Sequence, residues 1–157
     1  MLRPVEPPLH LVLVAPQIPP NTGNIARLCA VTGCRLVLVE PLGFSIADRE
    51  LKRAGLDYWE HVFLALYPSW DTYVASHAGA RRFLFSGRAS TSLWEVDFQP
   101  GDHLVFGSEA DGLGESLLQG GQGVPVCIPM LPGRRSLNLS TAAGVGTYEA
   151  LRQLGLD

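Results

Sequence analysis

Lysine is almost missing from this chain. Of twelve basic residues in 157, Lys52 alone is lysine and the rest are arginine; fifteen acids leave a formal charge of −3. That balance excludes a surface coated in positive charge for non-specific nucleic-acid binding. It leaves room for local arginine patches, which grip phosphate in a planar, bidentate way. Cysteine is scarce and badly spaced. Cys29, Cys34 and Cys127 form no C-x-x-C pair, so plain thiols are expected and no disulfide framework or metal site. No apolar stretch reaches the roughly 18 residues a membrane span needs. Met1 to Pro8 holds three prolines and no apolar run, so neither a signal peptide nor an anchor is expected and a cytoplasmic protein is the default. The G-x-G-x-x-G spacing of a dinucleotide loop is absent, as is the Lys-Ser/Thr ending of a P-loop. A nicotinamide or nucleoside-triphosphate enzyme is therefore weakly supported.

What is present is a chain that can bury a core, 46% hydrophobic and 17% charged, of a length that suits one domain over 1–157. Leu9 to Val14 and Arg35 to Glu40 read as buried strands. Between them, Asn21 or Thr22 could cap a helix from Gly23 to Thr32, with Ile25, Leu28 and Cys29 as its apolar face and Gly33 at its end. This β-α-β unit favours a parallel sheet. Further strands are expected at His61–Leu64, Arg82–Ser86, His103–Phe106 and Val124–Ile128. Helices are expected at Ala47–Ala54, Ser69–His77, Gly112–Leu118 and Asn138–Leu154. The alternation describes a wound α/β domain.

Ligands of parallel sheets bind beyond the carboxyl ends of the strands, and three elaborate loops sit there. Pro19 to Arg27 crowds Asn and Thr at a helix start, with Asn24 and Arg27 three apart on one face. Phe106 to Gly114 leaves a strand on glycine and carries Glu109 and Asp111, with two more glycines. Ile128 to Ser140 places Arg134 and Arg135 beside a helix N-terminus, where positive charge opposes the dipole and an anion would relieve the conflict. In the helix that follows, Gly144 and Gly146 each cost roughly 1 kcal/mol relative to Ala unless close packing offsets it.

Together the loops resemble the three motifs of the SPOUT class of RNA methyltransferases, and its minimal TrmL-like tRNA 2′-O-methyltransferase branch in particular. Asn-Thr-Gly-Asn-Ile-Ala-Arg at 21–27 looks like the first motif and Phe-Gly-Ser-Glu-Ala-Asp-Gly-Leu at 106–113 the second. Ile-Pro-Met-Leu-Pro at 128–132 with Arg-Ser-Leu-Asn-Leu-Ser at 135–140 looks like the third. Glu40 to Phe44 and Arg53 to Tyr58 also match the minimal branch. The resemblance runs from about Leu9 to Gly155. Ser86 stands where relatives often have Leu, and Thr141 where close relatives have Asn.

The resemblance implies a parallel α/β sheet with a deep C-terminal trefoil knot, a homodimer, S-adenosyl-L-methionine as cofactor, and the wobble nucleotide of the tRNA anticodon stem-loop as substrate; no DNA or membrane partner is implied. Position by position it implies Arg27 and Asn24 as the catalytic pair. It assigns Ser86, Gly107, Glu109, Gly112, Leu113, Ile128, Met130, Ser136, Leu137 and Asn138 to the cofactor. The RNA candidates are Arg134, Arg135, Tyr148, Lys52 and Arg53, with Arg49 beside the last two and Arg81, Arg82 and Arg88 as weaker ones. Tyr58, Trp59 or Phe44 could stack on flipped bases. Guanidinium is always protonated, so Arg27 is expected to organise phosphate and developing alkoxide charge rather than to take the proton. The alternatives are 2′-O-methylation of another tRNA or rRNA position, and a non-catalytic RNA-binding protein that retains the fold; intact Asn24, Arg27 and Glu109 argue against the latter. No histidine lies in a motif, so His10, His61, His77 and His103 read as structural or surface residues.

Overall fold

The computed structural model describes residues 6–47, 49, 51, 53 and 62–155. Six parallel strands form one sheet: β1 (His10–Val14), β2 (Arg35–Val39), β3 (Phe63–Tyr67), β4 (Arg82–Phe85), β5 (His103–Phe106) and β6 (Val124–Val126), in the order β3-β2-β1-β5-β4-β6. The helices are α1 (Pro19–Thr32), α2 (Trp70–Ser76), α3 (Glu115–Leu118) and α4 (Leu139–Leu154), with a 3₁₀ turn at Leu93–Glu95. Among the described residues no helix is long and apolar enough to cross a membrane.

The central strands are buried on both faces, as apolar runs in a parallel sheet require. Leu11, Leu13, Leu36, Leu38, Leu104 and Phe106 face one core, which α1 and α4 cover with Ile25, Cys29, Ala143 and Leu151. Val12, Val37, Val39, Leu84 and Val105 face a smaller core under Tyr73 of α2 and Leu113. Cys29 and Cys34 are buried free thiols, and burial raises both, Cys34 to about 11, so they are inert packing residues.

At the amino ends of four adjacent strands, Arg35, His10, His103 and Arg82 pair in one row across the sheet. Side chains alternate along a strand, so all four share the α2 face. His10 and His103 stack with ring centroids 4.2 Å apart, and Tyr73 Oη and His103 Nδ1 share a 2.5 Å hydrogen bond. Arg82 is buried and donates to the carbonyls of Val74, His77 and Gln122. It closes the end of α2 and is not an RNA contact. Arg81 pairs with buried Asp102 at 3.0 Å. Three of the four histidines are thus structural; His61 lies outside the described residues.

Element positions largely follow the sequence pattern, with one correction that bears on the site. α1 begins at Pro19, not Gly23, and neither Asn21 nor Thr22 caps it. Proline is favoured in a first turn because its missing N–H has no partner there anyway. Pro19 and Pro20, read as loop in the sequence, therefore open the helix, and Asn21 and Thr22 are buried inside it. Gly33 closes it at φ 77°, as expected. The helix expected at 47–54 falls largely outside the described residues.

Candidate active site

The loops after β1, β4, β5 and β6 meet beyond the carboxyl ends of the strands and wall a cavity of about 530 Å³. All ten residues expected at the cofactor line it: Ser86 from the loop after β4; Gly107, Glu109, Gly112 and Leu113 after β5; Ile128, Met130, Ser136, Leu137 and Asn138 after β6. The loop after β5 folds back on itself through a Gly112 N–H to Ser108 carbonyl bond of 2.9 Å. A Cβ on Gly107 would overlap the Gly112 carbonyl carbon and the Leu113 nitrogen. Glycine is therefore a steric necessity at that position.

Glu109 turns its carboxylate away from a purely ligand-facing role. It accepts the backbone N–H of Gln17 at 2.9 Å and of Ile18 at 2.5 Å, and Asn21 Nδ2 at 3.4 Å. Ile18 is the N-cap of α1 and has no side-chain acceptor. A carboxylate more than ninety residues away along the chain thus satisfies the helix start and matches its dipole. Asn21 continues the tie: its Oδ1 accepts from Asn138 Nδ2 at 3.1 Å. Asn138 Oδ1 in turn accepts the N–H groups of Ser140 and Thr141 and the Ser140 hydroxyl, capping α4. One chain of polar contacts, Glu109–Asn21–Asn138, joins all three motif loops. Asn21 was not among the expected site residues. Extending the Asn24–Arg27 spacing back by three would have reached it.

Arg27 and Asn24 are exposed on α1 and do not line the cavity. The first turn of α1 does, through Ile18 and Asn21. At 1.5 Å rise per residue, Arg27 lies about 9 Å along the helix axis from Asn21. The expected catalytic pair is therefore next to the cavity, not inside it. Of the RNA candidates, Arg135 lines the cavity while Arg134, Arg53 and Tyr148 are exposed; Lys52, Tyr58 and Trp59 lie outside the described residues. Phe44 is half-buried. Arg88 is bound to Glu115 at 2.6 Å.

A family model described as the SpoU rRNA Methylase family matches residues 8–148, nearly the whole chain. The chain belongs to the SpoU methylase family. Among its relatives, the tRNA (cytidine(34)-2′-O)-methyltransferase of Burkholderia ambifaria is 48% identical over 151 residues, covering 94% of this chain and 97% of the relative. The Escherichia coli enzyme of the same name is 44% identical over 151 residues, with 94% of each covered. A solved structure concerned with 2-OH methylation of C/U34 on tRNA superposes with a TM-score of 0.90 at 49% identity, covering 94% of this chain and 96% of that one.

The cavity's chemistry suits a nucleoside with a charged tail. Leu113, Ile128, Met130 and Leu137 supply apolar wall; Ser86, Ser136 and Asn138 supply polar groups; Arg88, Arg135, Asp111 and Glu109 supply charges of both signs. Its volume falls in the range of small-molecule sites.

Proposed function

We propose that this chain transfers a methyl group from S-adenosylmethionine to the ribose 2′-hydroxyl of the wobble nucleotide 34 of tRNA, a cytidine or a carboxymethylaminomethyl-modified uridine. One observation carries the reading: three motifs far apart in sequence wall a single cavity and are tied together through Asn21. The names of relatives matching more than nine-tenths of the chain support the substrate.

The cofactor supplies an electrophilic methyl group on a sulfonium. The chain's own contribution is mainly alignment. Leu113, Ile128, Met130 and Leu137 would hold its apolar nucleoside surface, and Ser86, Ser136 and Asn138 would offer hydrogen bonds. Arg27 holds the phosphate beside the reacting ribose and stabilises the charge that develops on the 2′-oxygen, whose proton passes to that phosphate or to water as the methyl–sulfur bond breaks. Asn24, one turn earlier, orients it. Because both stand on the exposed face of α1, the anticodon loop lies along that helix with its ribose at the cavity mouth. Arg134, Arg135, Arg53 and Tyr148 are proposed RNA contacts.

The active form is read as a homodimer. Val145 on α4 is an exposed apolar side chain that a second copy would cover. A C-terminal trefoil knot is proposed, and the path of the chain is compatible with it. β6 lies at the sheet edge beside β4, and Cys127 bridges Ser92. The chain then returns past the loops after β4 and β5 to α4, which packs on α1 and β5.

The test is methylation of bulk tRNA with labelled cofactor, followed by mapping of the modified nucleotide. Label at position 34 is expected. Label elsewhere overturns the substrate and leaves the reaction; no label overturns both. Arg27→Lys keeps the charge but loses the fork, so near-normal activity would refute the bidentate role.

A further inference from the structure

The proposed cofactor ends in an α-amino acid, which carries a carboxylate and an ammonium, and two basic residues line the cavity, Arg88 and Arg135. Arg88 follows Ser86 and Gly87 off the end of β4. Its Nη1 donates to Glu115 Oε1 at 2.6 Å and its Nη2 leans on the Leu113 carbonyl at 3.5 Å. The two side chains of this pair are 60% and 56% exposed. An ion pair so open to water contributes at most about 1 kcal/mol, so it does little to hold the two loops together and exchanges partners at small cost. Arg135 makes no ion pair among the described residues and sits in an exposed loop. Of the carboxylates in the cavity wall, Glu109 is committed to the backbone of α1, and Asp111 is exposed.

We propose that Arg88 is the clamp for the amino-acid end of the cofactor, taking its carboxylate in exchange for Glu115. Arg88 stands in the cavity wall, while Glu115 lies outside it and is also held by Gln119, so the guanidinium can exchange that partner for a ligand carboxylate. Guanidinium also matches carboxylate geometry with two parallel hydrogen bonds. The inference rests on the cofactor proposed above.

The test needs no turnover. Calorimetric titration of the purified protein compares S-adenosylhomocysteine with 5′-methylthioadenosine, which keeps the nucleoside and thioether but lacks the amino acid. Wild type is expected to favour the former. Arg88→Gln should cut that preference roughly tenfold, the scale of a lost hydrogen bond to a charged group. Glu115→Gln, which releases Arg88 from its ion pair, should not lower that preference, and methylthioadenosine affinity should stay unchanged in both, which also reports an intact fold. A preference unchanged in Arg88→Gln overturns the clamp, as does its loss in Arg135→Gln alone. Failure of wild type to bind either compound overturns the cofactor reading, and the clamp with it.

Discussion

Replacing Glu109 by glutamine removes a charge from the start of α1 while preserving shape. The carboxylate receives two backbone N–H groups there, from Gln17 and Ile18, at a helix whose own N-cap residue offers no acceptor. Loss of an N-cap typically costs about 0.5–2 kcal/mol, and loss of a negative charge at a helix N-terminus about 0.3–1 kcal/mol. Glu109→Ala loses both and should destabilise by about 2 kcal/mol; Glu109→Gln keeps one acceptor oxygen and should cost about 1 kcal/mol. For a chain of this size each kcal/mol lowers Tm by about 2–4 °C. Urea unfolding measures the stability, and S-adenosylhomocysteine titration of the folded protein measures the cavity. Ligand affinity should fall in step with stability, because Asn21 passes the displacement on to Asn138. A Glu109→Gln protein as stable as wild type that no longer binds ligand would refute the capping role and make Glu109 a direct ligand contact.

Acid should loosen the fold well above the carboxylate range. Burial, reinforced by neighbouring histidines and arginines, lowers His103 to about 3, and burial with Arg35 and His77 lowers His10 to about 4. Both are neutral in the folded state at pH 5.5, whereas the unfolded chain takes up protons below about 6.5. Their contribution is full above that value and is lost as pH falls toward the folded values, at about 1.4 kcal/mol per pH unit for each. The unfolding free energy from urea titrations should drop between pH 7 and 5.5 by about 2 kcal/mol, and an unchanged value would refute the burial. Gly144→Ala should stabilise α4 by about 0.5–1 kcal/mol, since a Cβ there meets nothing within 4 Å. Gly146→Ala should destabilise instead, because its Cβ would stand 3.0 Å from the Phe85 ring; thermal melts separate the two. Gly107→Ala should abolish S-adenosylhomocysteine binding in calorimetry even where the far-ultraviolet spectrum stays native.

The parts legible in the sequence were those set by local pattern. Apolar runs marked β1, β2 and β5 to within a residue, Gly33 marked a helix end, and three glycine- and proline-rich loops marked the end of the sheet where the cavity lies. The close packing expected for the glycines of α4 holds at Gly146 and fails at Gly144, which no local rule distinguishes. What the sequence hid was long-range. Nothing near Ile18 announces that its cap is Glu109, and nothing near His10 announces His103, because both partnerships exist only once strands 1 and 5 lie side by side. The start of α1 was misplaced for a related reason: two prolines look like loop until a distant carboxylate completes the turn they open. Nor does spacing tell that Asn24 and Arg27 lie outside the cavity while Asn21, on the same helix, lies in its wall.

Asn138 holds Asn21 with its amide nitrogen and caps α4 with its amide oxygen. One small side chain thus touches the loop that faces the cofactor, the helix that carries Arg27 and the helix that carries Tyr148. Whatever settles that amide settles all three, so with RNA on the proposed Arg27 face the two substrates are expected to bind with coupled energies. By the closure of the thermodynamic cycle, the factor by which the methyl donor tightens RNA binding must equal the factor by which RNA tightens donor binding. Asn138→Ala should bring that shared factor toward one for both.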